Sequence, residues 1–146
     1  MWTTEHAIET TASREAIWRV WADVARWGEW NPDIASIEIS GSFAAGSTIT
    51  MTSDGQEAIE LRIAEAVEPD GFVDEADLGD VVVRTHHRAE PLEDGRVRVV
   101  YRMEITGPQA DSLGPKIGPE ISADFPQTLA ALAELAEGRD RPSRTA

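Results

Sequence analysis

The most polar stretch within an otherwise apolar, alternating segment is Arg84-Thr85-His86-His87-Arg88. Alternation with Val81, Val83 and Ala89 puts Thr85 and His87 on the inner face of a strand, leaving Arg84, His86 and Arg88 outside. The outer set is expected to pair with acids such as Glu60 or Glu104. An inward histidine titrates near neutrality and can act as a general acid or base. The same residue can also be a buried neutral ring, hydrogen-bonded to a neighbour. A one-residue bulge would exchange the two faces and bring His86 and the arginines inward. Tyr101, the single tyrosine, falls on the apolar face of the next segment. There its hydroxyl can polarise a ligand carbonyl or satisfy a core partner. His87 and Tyr101 are the candidate catalytic residues.

Binding chemistry is concentrated in Trp27-Gly28-Glu29-Trp30-Asn31-Pro32. Trp30 can stack on an aromatic ligand, or hold short helices to a sheet as Trp27 is expected to do. Asn31 can donate to a ligand carbonyl or form the turn before Pro32. Met51, Ile59, Leu61, Thr85, Met103, Leu113, Ile117 and Ile121 complete the candidate ligand-binding set. Asp74, Glu75, Asp77 and Asp80 lack Ca²⁺-loop spacing and read as a solvated edge. The chain has no cysteine, which excludes disulfides, thiol catalysis and cysteine-ligated metals. His6, His86 and His87 lack metal-site spacing, so no metal and no cofactor are expected.

These groups need elements to hold them. Thr3 to Thr10 alternates as a strand, with His6 and Ile8 on one face. Ser13 is an N-cap with Glu15 in the first turn, and Ile17, Val20, Trp21 and Val24 continue a helix to about Ala25. Alternating segments follow at 34–40, 47–53, 59–67, 72–78, 81–92 and 96–106, separated by turn signals that include Asp54-Gly55 and Asp94-Gly95. From Gln109, apolar residues recur at three- and four-residue steps as one long amphipathic helix. Pro115, Pro119 and Pro126 interrupt its donors, predicting an irregular first half that acts as a lid and a clean helix from about Gln127. Gly138 reads as its C-cap. The expectation is one domain over 1–138 and a frayed tail over 139–146.

A curled antiparallel sheet with one apolar face needs a cover, and a single long helix supplies it without filling the concavity. The fold class is therefore α+β, with an internal cavity. The order of elements resembles the START-like (SRPBCC) superfamily, specifically its polyketide cyclase/dehydrase branch. The resemblance rests on Glu15-Ala16-Ile17-Trp18 and on Asp23 to Pro32, which is similar to that family's D-x-x-x-W-x-x-W-N-P segment. Asp94 to Val99 is similar to its G-T-R-V-x-V hairpin, lacking the threonine. Ile105 to Pro108 and Asp124 to Leu132 resemble its last strand and helix. The resemblance implies a helix-grip fold and a hydrophobic or amphipathic ligand such as a lipid, polyketide or aromatic compound.

Three functions are compatible with that resemblance. The first is a carrier or sensor of a hydrophobic small molecule. The second is a cyclase or dehydrase using His87 and Tyr101 for aldol closure. The third is a protein-interaction module with a filled cavity. The net charge of −14 argues against nucleic acid and anionic membrane surfaces as partners. With no signal-like N-terminus and no apolar run of about 20 residues, the cytoplasm is the expected compartment, as a monomer or homodimer. Lys116 is the only lysine among many arginines and alanines, a usage associated with GC-rich bacterial genomes.

Overall fold

Alternation along the chain becomes a seven-stranded sheet in a computed structural model that describes residues 1–53 and 55–140, with side chains to residue 138. The strands are β1 (Trp2–Thr10), β2 (Ile34–Ser40), β3 (Thr48–Ser53), β4 (Ile59–Val67), β5 (Gly71–Asp77), β6 (Val82–Pro91) and β7 (Val97–Thr106). Their order is β1-β7-β6-β5-β4-β3-β2, antiparallel throughout. β1 and β2 follow each other in the chain yet form opposite edges. Helix α1 (Arg14–Ala22) and a 3₁₀ turn (Val24–Glu29) bridge between them. Helices α2 (Ala110–Ser122) and α3 (Phe125–Asp140) complete the fold. Asp54 of the expected Asp54-Gly55 turn, and 141–146 of the expected tail, lie outside the described residues.

Local signals explain most boundaries. The Ser13 hydroxyl accepts from the Ala16 N–H at 3.1 Å, capping α1 as its residue type predicts. That helix stops at Ala22 rather than near Ala25, because Asp23 leaves helical angles and the chain tightens into the 3₁₀ turn. β5 starts at Gly71, whose φ of 153° and position against the His87 carbonyl admit no side chain. A Cβ there would lie 2.0 Å from that oxygen.

The expected single long helix is two helices. α2 stays helical through Pro115 and Pro119, contrary to the irregular first half expected of it, and the chain breaks at Ala123 and Asp124. Pro126 has no N–H to return to the Ser122 carbonyl, so one rung of the ladder is missing at this break. Placed in the first turn of α3, the same proline costs little. α3 then runs through Gly138, which has no positive φ and so forms no left-handed cap.

Packing divides the interior in two. The larger cluster joins α1, the 3₁₀ turn and α3 to the sheet through Trp21, Trp27, Trp30, Phe72, Tyr101 and Leu132. The smaller holds Met103, Ile105, Val83 and Ala110, with Trp2, Leu113 and Ile117 against them. Two glycines set this second contact. The Trp2 ring lies on Gly114 and Gly118 of α2, where added Cβ atoms would fall 2.5 Å and 2.3 Å from its atoms. α2 is thereby seated on β1 and β7. Among the described residues no helix is long and apolar enough to cross a membrane.

Candidate functional site: a cavity with buried acid–base groups

Between the two clusters lies a cavity of about 270 Å³. Its floor is the inner face of β5, β6 and β7, whose registers are unbroken. One cross-strand row is Phe72, His87 and Tyr101, and the next is Asp74, Thr85 and Met103. Because no bulge intervenes, Thr85 and His87 face inward as alternation predicts. His86 faces outward, with Nε2 2.6 Å from Glu104 Oε1. Arg84 also faces outward, pairing with Glu75 at 2.7 Å and Glu65 at 3.9 Å rather than with Glu60.

The rings of the first row pack on one another. Phe72 and His87 are parallel at 3.9 Å between centroids, and Tyr101 meets His87 edge-on at 4.6 Å. Phe125, at the start of α3, closes over Tyr101 at 5.6 Å. The Trp21 Nε1–H donates to the Tyr101 oxygen at 3.2 Å. The phenol's own proton has no protein acceptor among the described residues. Burial pushes the Tyr101 pKa upward, so it stays a neutral donor.

His87 and Asp74 titrate in opposite directions for one reason. Burial penalises the charged form of each, lowering His87 to about 3 and raising Asp74 to about 7. The neighbouring Glu75 adds to the rise at Asp74, while the Phe72 carbonyl partly offsets the fall at His87. His87 Nδ1 lies 3.3 Å from that carbonyl and Nε2 lies 4.0 Å from Asp74 Oδ2. A neutral ring donating from Nδ1 leaves Nε2 as an acceptor facing the carboxyl. At neutral pH the two do not form an ion pair. Asp74 is thus the group able both to give and to take a proton near pH 7, and the acidic 74–80 stretch concealed it from sequence reasoning. Its phase with Phe72 and Ala76 was the available signal. The strand is central, between β4 and β6, and Asp74 is only 7% exposed.

Nine of the twelve sequence-predicted residues line the cavity: Trp30, Asn31, Met51, Ile59, Leu61, Thr85, His87, Tyr101 and Ile121. Met103, Leu113 and Ile117 do not. Met103, on β7, is covered within the second cluster, and Leu113 and Ile117 join it there because Trp2 and the two glycines turn that part of α2 toward it. The stretch from Leu113 therefore reaches the cavity only at Ile121. Asn31 donates its amide to the Trp27 carbonyl at 2.9 Å, and Trp27 donates to the Trp21 carbonyl at 2.9 Å. The turn between the tryptophans is thus fixed by its own side chains. Trp30 is buried, and its Nε1–H has no partner among the described residues. Sequence reasoning also missed Phe72, Asp124 and Phe125 as wall residues. Burial raises the Asp124 pKa, with Asp33 adding to the shift. Ile59, Leu78 and Ile121 form an apolar rim, 37%, 50% and 40% exposed.

Residues 10–133 match the sequence pattern of the family described as polyketide cyclase / dehydrase and lipid transport. The chain belongs to this family. Within this polyketide cyclase/dehydrase-type chain, the match spans α1 through most of α3 and therefore every wall of the cavity. Similar solved structures place it in the START-like helix-grip fold. A norcoclaurine synthase mutant from Thalictrum flavum, bound to a transition-state analogue, is 15% identical with a TM-score of 0.76, covering 95% of this chain and 96% of that one. The ZhuI aromatase/cyclase from Streptomyces sp. R1128 is 18% identical with a TM-score of 0.73, covering 95% of each. Protein MLL2253 from Mesorhizobium loti is 14% identical with a TM-score of 0.72, covering 95% and 99%. No curated protein matches the chain in sequence.

Proposed function

We propose that the protein binds a hydrophobic or amphipathic small molecule in this cavity, as a carrier or sensor. The observation that carries this reading is an apolar-walled cavity of about 270 Å³ whose rim opens to solvent at Ile59, Leu78 and Ile121. The volume lies near the lower end of ligand pockets, roughly 300–1,000 Å³. One benzene occupies an apolar cavity of about 150 Å³, so the size suits a molecule of about two rings better than a long acyl chain. A pure interaction module was expected to have a filled interior, and the open cavity counts against it. Family membership supports the reading in general terms. Ala76→Leu adds bulk at a buried wall position without adding polarity. It should abolish binding of a fluorescent naphthalene probe at a concentration that saturates the native chain. Equal binding by both proteins, or no binding by either, would refute the reading.

A second reading is favoured by one observation, the buried Asp74 carboxyl beside the Tyr101 row. In a cyclase or dehydrase, the Asp74 carboxylate would take the acidic proton of a methylene between two carbonyls. Tyr101 O–H would meanwhile hydrogen-bond the enolate oxygen that develops. The carbon nucleophile would close on a second carbonyl, and protonated Asp74 would return its proton to the new alkoxide. His87, neutral at this pH, would accept a substrate hydroxyl at Nε2. Similarity in fold to an aromatase/cyclase supports this role without selecting it. Turnover of a short poly-β-carbonyl thioester that survives unchanged in Asp74→Asn would exclude it.

A further inference from the structure

Every ionisable side chain on the cavity wall is an acid or a neutral ring: Asp74, Asp124, His87 and Tyr101, with no lysine or arginine. Asp74 is 7% exposed, and no protein donor reaches its carboxyl with a hydrogen bond among the described residues. Both aspartates act on Tyr101 electrostatically, so their fields converge on the same part of the cavity. The same cavity is lined by Trp27, Trp30, Phe72 and Phe125, aromatic side chains that attract a cation as well as an apolar body. A net charge of −14 adds a long-range field of the same sign. We propose that the cavity selects amphiphiles bearing a protonated amine, the ammonium seated between Asp74 and Asp124 and the apolar body against the aromatic wall. This rests on the ligand-binding reading above and specifies its ligand class.

The physical case is one of missing compensation. A buried carboxyl without a counter-charge holds its proton well above the ordinary carboxylate range, and Asp74, raised to about 7, is still about half protonated at neutral pH. An ammonium supplies the counter-charge, so its entry should expel that proton. A ligand carboxylate or phosphate would meet two acids and no cation, and would be rejected by the same wall. The titratable groups that share the cavity with Asp74 are His87 on β6, Tyr101 on β7 and Asp124 at the break between α2 and α3. Glu75, next on the same strand, points to the outer face beside Arg84, and the β4 partner of Asp74 is Ile63. Glu75 opposes ionisation of Asp74. His87 is neutral above about pH 3 and supplies no cation in its place.

The test compares three matched two-ring probes by calorimetry: 2-naphthylmethylamine, 2-naphthylmethanol and 2-naphthoate. The amine is expected to bind at least tenfold more tightly than the alcohol at pH 8, with the naphthoate weakest. Its affinity should fall several-fold on going from pH 8 to pH 5.5, where Asp74 holds its proton, and binding near pH 7 should release protons in buffers of different ionisation enthalpy. In Asp74→Asn, and to a smaller degree in Asp124→Asn, the amine-to-alcohol ratio should drop toward one. An amine no tighter than the alcohol, or a ratio preserved in both variants, overturns the amine preference and leaves the cavity reading standing. Failure of all three probes overturns the cavity reading itself, and this inference with it.

Discussion

His87 Nε2 stands 4.0 Å from Asp74 Oδ2, on adjacent strands and the same face of the sheet, yet at neutral pH the two are not an ion pair. Burial drives each toward its uncharged form. The result is a neutral imidazole beside a carboxyl that is about half protonated at pH 7. A solvated pair of the same residues would instead be His⁺ and Asp⁻ in mild acid.

The stability of the chain should record this at Asp74. The folded pKa is raised from 3.8 to about 7, so between those values the unfolded state has lost a proton that the folded state keeps. Stability then falls as pH rises through that window. Asp74→Asn removes the penalty, and should stabilise the protein more at pH 8 than at pH 5, by up to roughly 4 kcal/mol at the higher pH. Urea unfolding at the two pH values measures it. A variant equally destabilised at both would contradict the placement of this carboxyl.

For His87 the sign is opposite. Its folded pKa is depressed from 6.5 to about 3, so between those values the unfolded state binds the extra proton and stability rises with pH. The direct readout is the imidazole Cε1–H chemical shift, expected to stay at its neutral-ring value from pH 5 to pH 8 apart from a small step as Asp74 ionises near pH 7. A change of the full size of imidazole protonation inside that range would show the ring to be solvated or paired with an ionised Asp74.

Tyr101→Phe removes the oxygen that accepts from the buried Trp21 Nε1–H. The indole donor is left unsatisfied at a cost of about 1–3 kcal/mol, read as a lower urea midpoint. A midpoint unchanged from the native chain would mean that this hydrogen bond contributes nothing.

Gly114→Ala ought to help an isolated helix by about 1 kcal/mol. Here the new methyl would lie 2.5 Å from the Cβ of Trp2, so either the helix or β1 must shift. The expected net effect is destabilisation by about 1–3 kcal/mol, with increased exposure of Trp2 in fluorescence quenching. A rise in melting temperature would show that α2 is not seated on Trp2.

The sheet was legible wherever its signal is local. β6 and β7 alternate strictly, so the inward phase of Thr85, His87 and Tyr101 followed from residues within each strand. The capped start of α1 and the turn at Trp27 to Pro32 were equally local, each signalled by Ser13 or by glycine and proline. Asp74 was misread as part of a solvated edge because 74–80 is rich in acids. Burial of that one acid depends on β4 and β6 flanking its strand, a pairing the segment itself does not encode.

What the amino-acid order determined alone is therefore the strands, their inward and outward faces and the capped start of the first helix, because periodicity and turn chemistry act over a few residues. The helix-grip family followed from the resemblance of its motifs. What only the tertiary structure decided is which side chains share the cavity. Leu113 and Ile117 carry the same apolar stripe as Ile121, yet a tryptophan at the other end of the chain, fitted onto two glycines, turns them to a different cluster. Asp74 and His87 acquire their uncharged states from burial created by strands and helices far away in sequence. Desolvation depends on the assembled surroundings of a group, and no local pattern carries it.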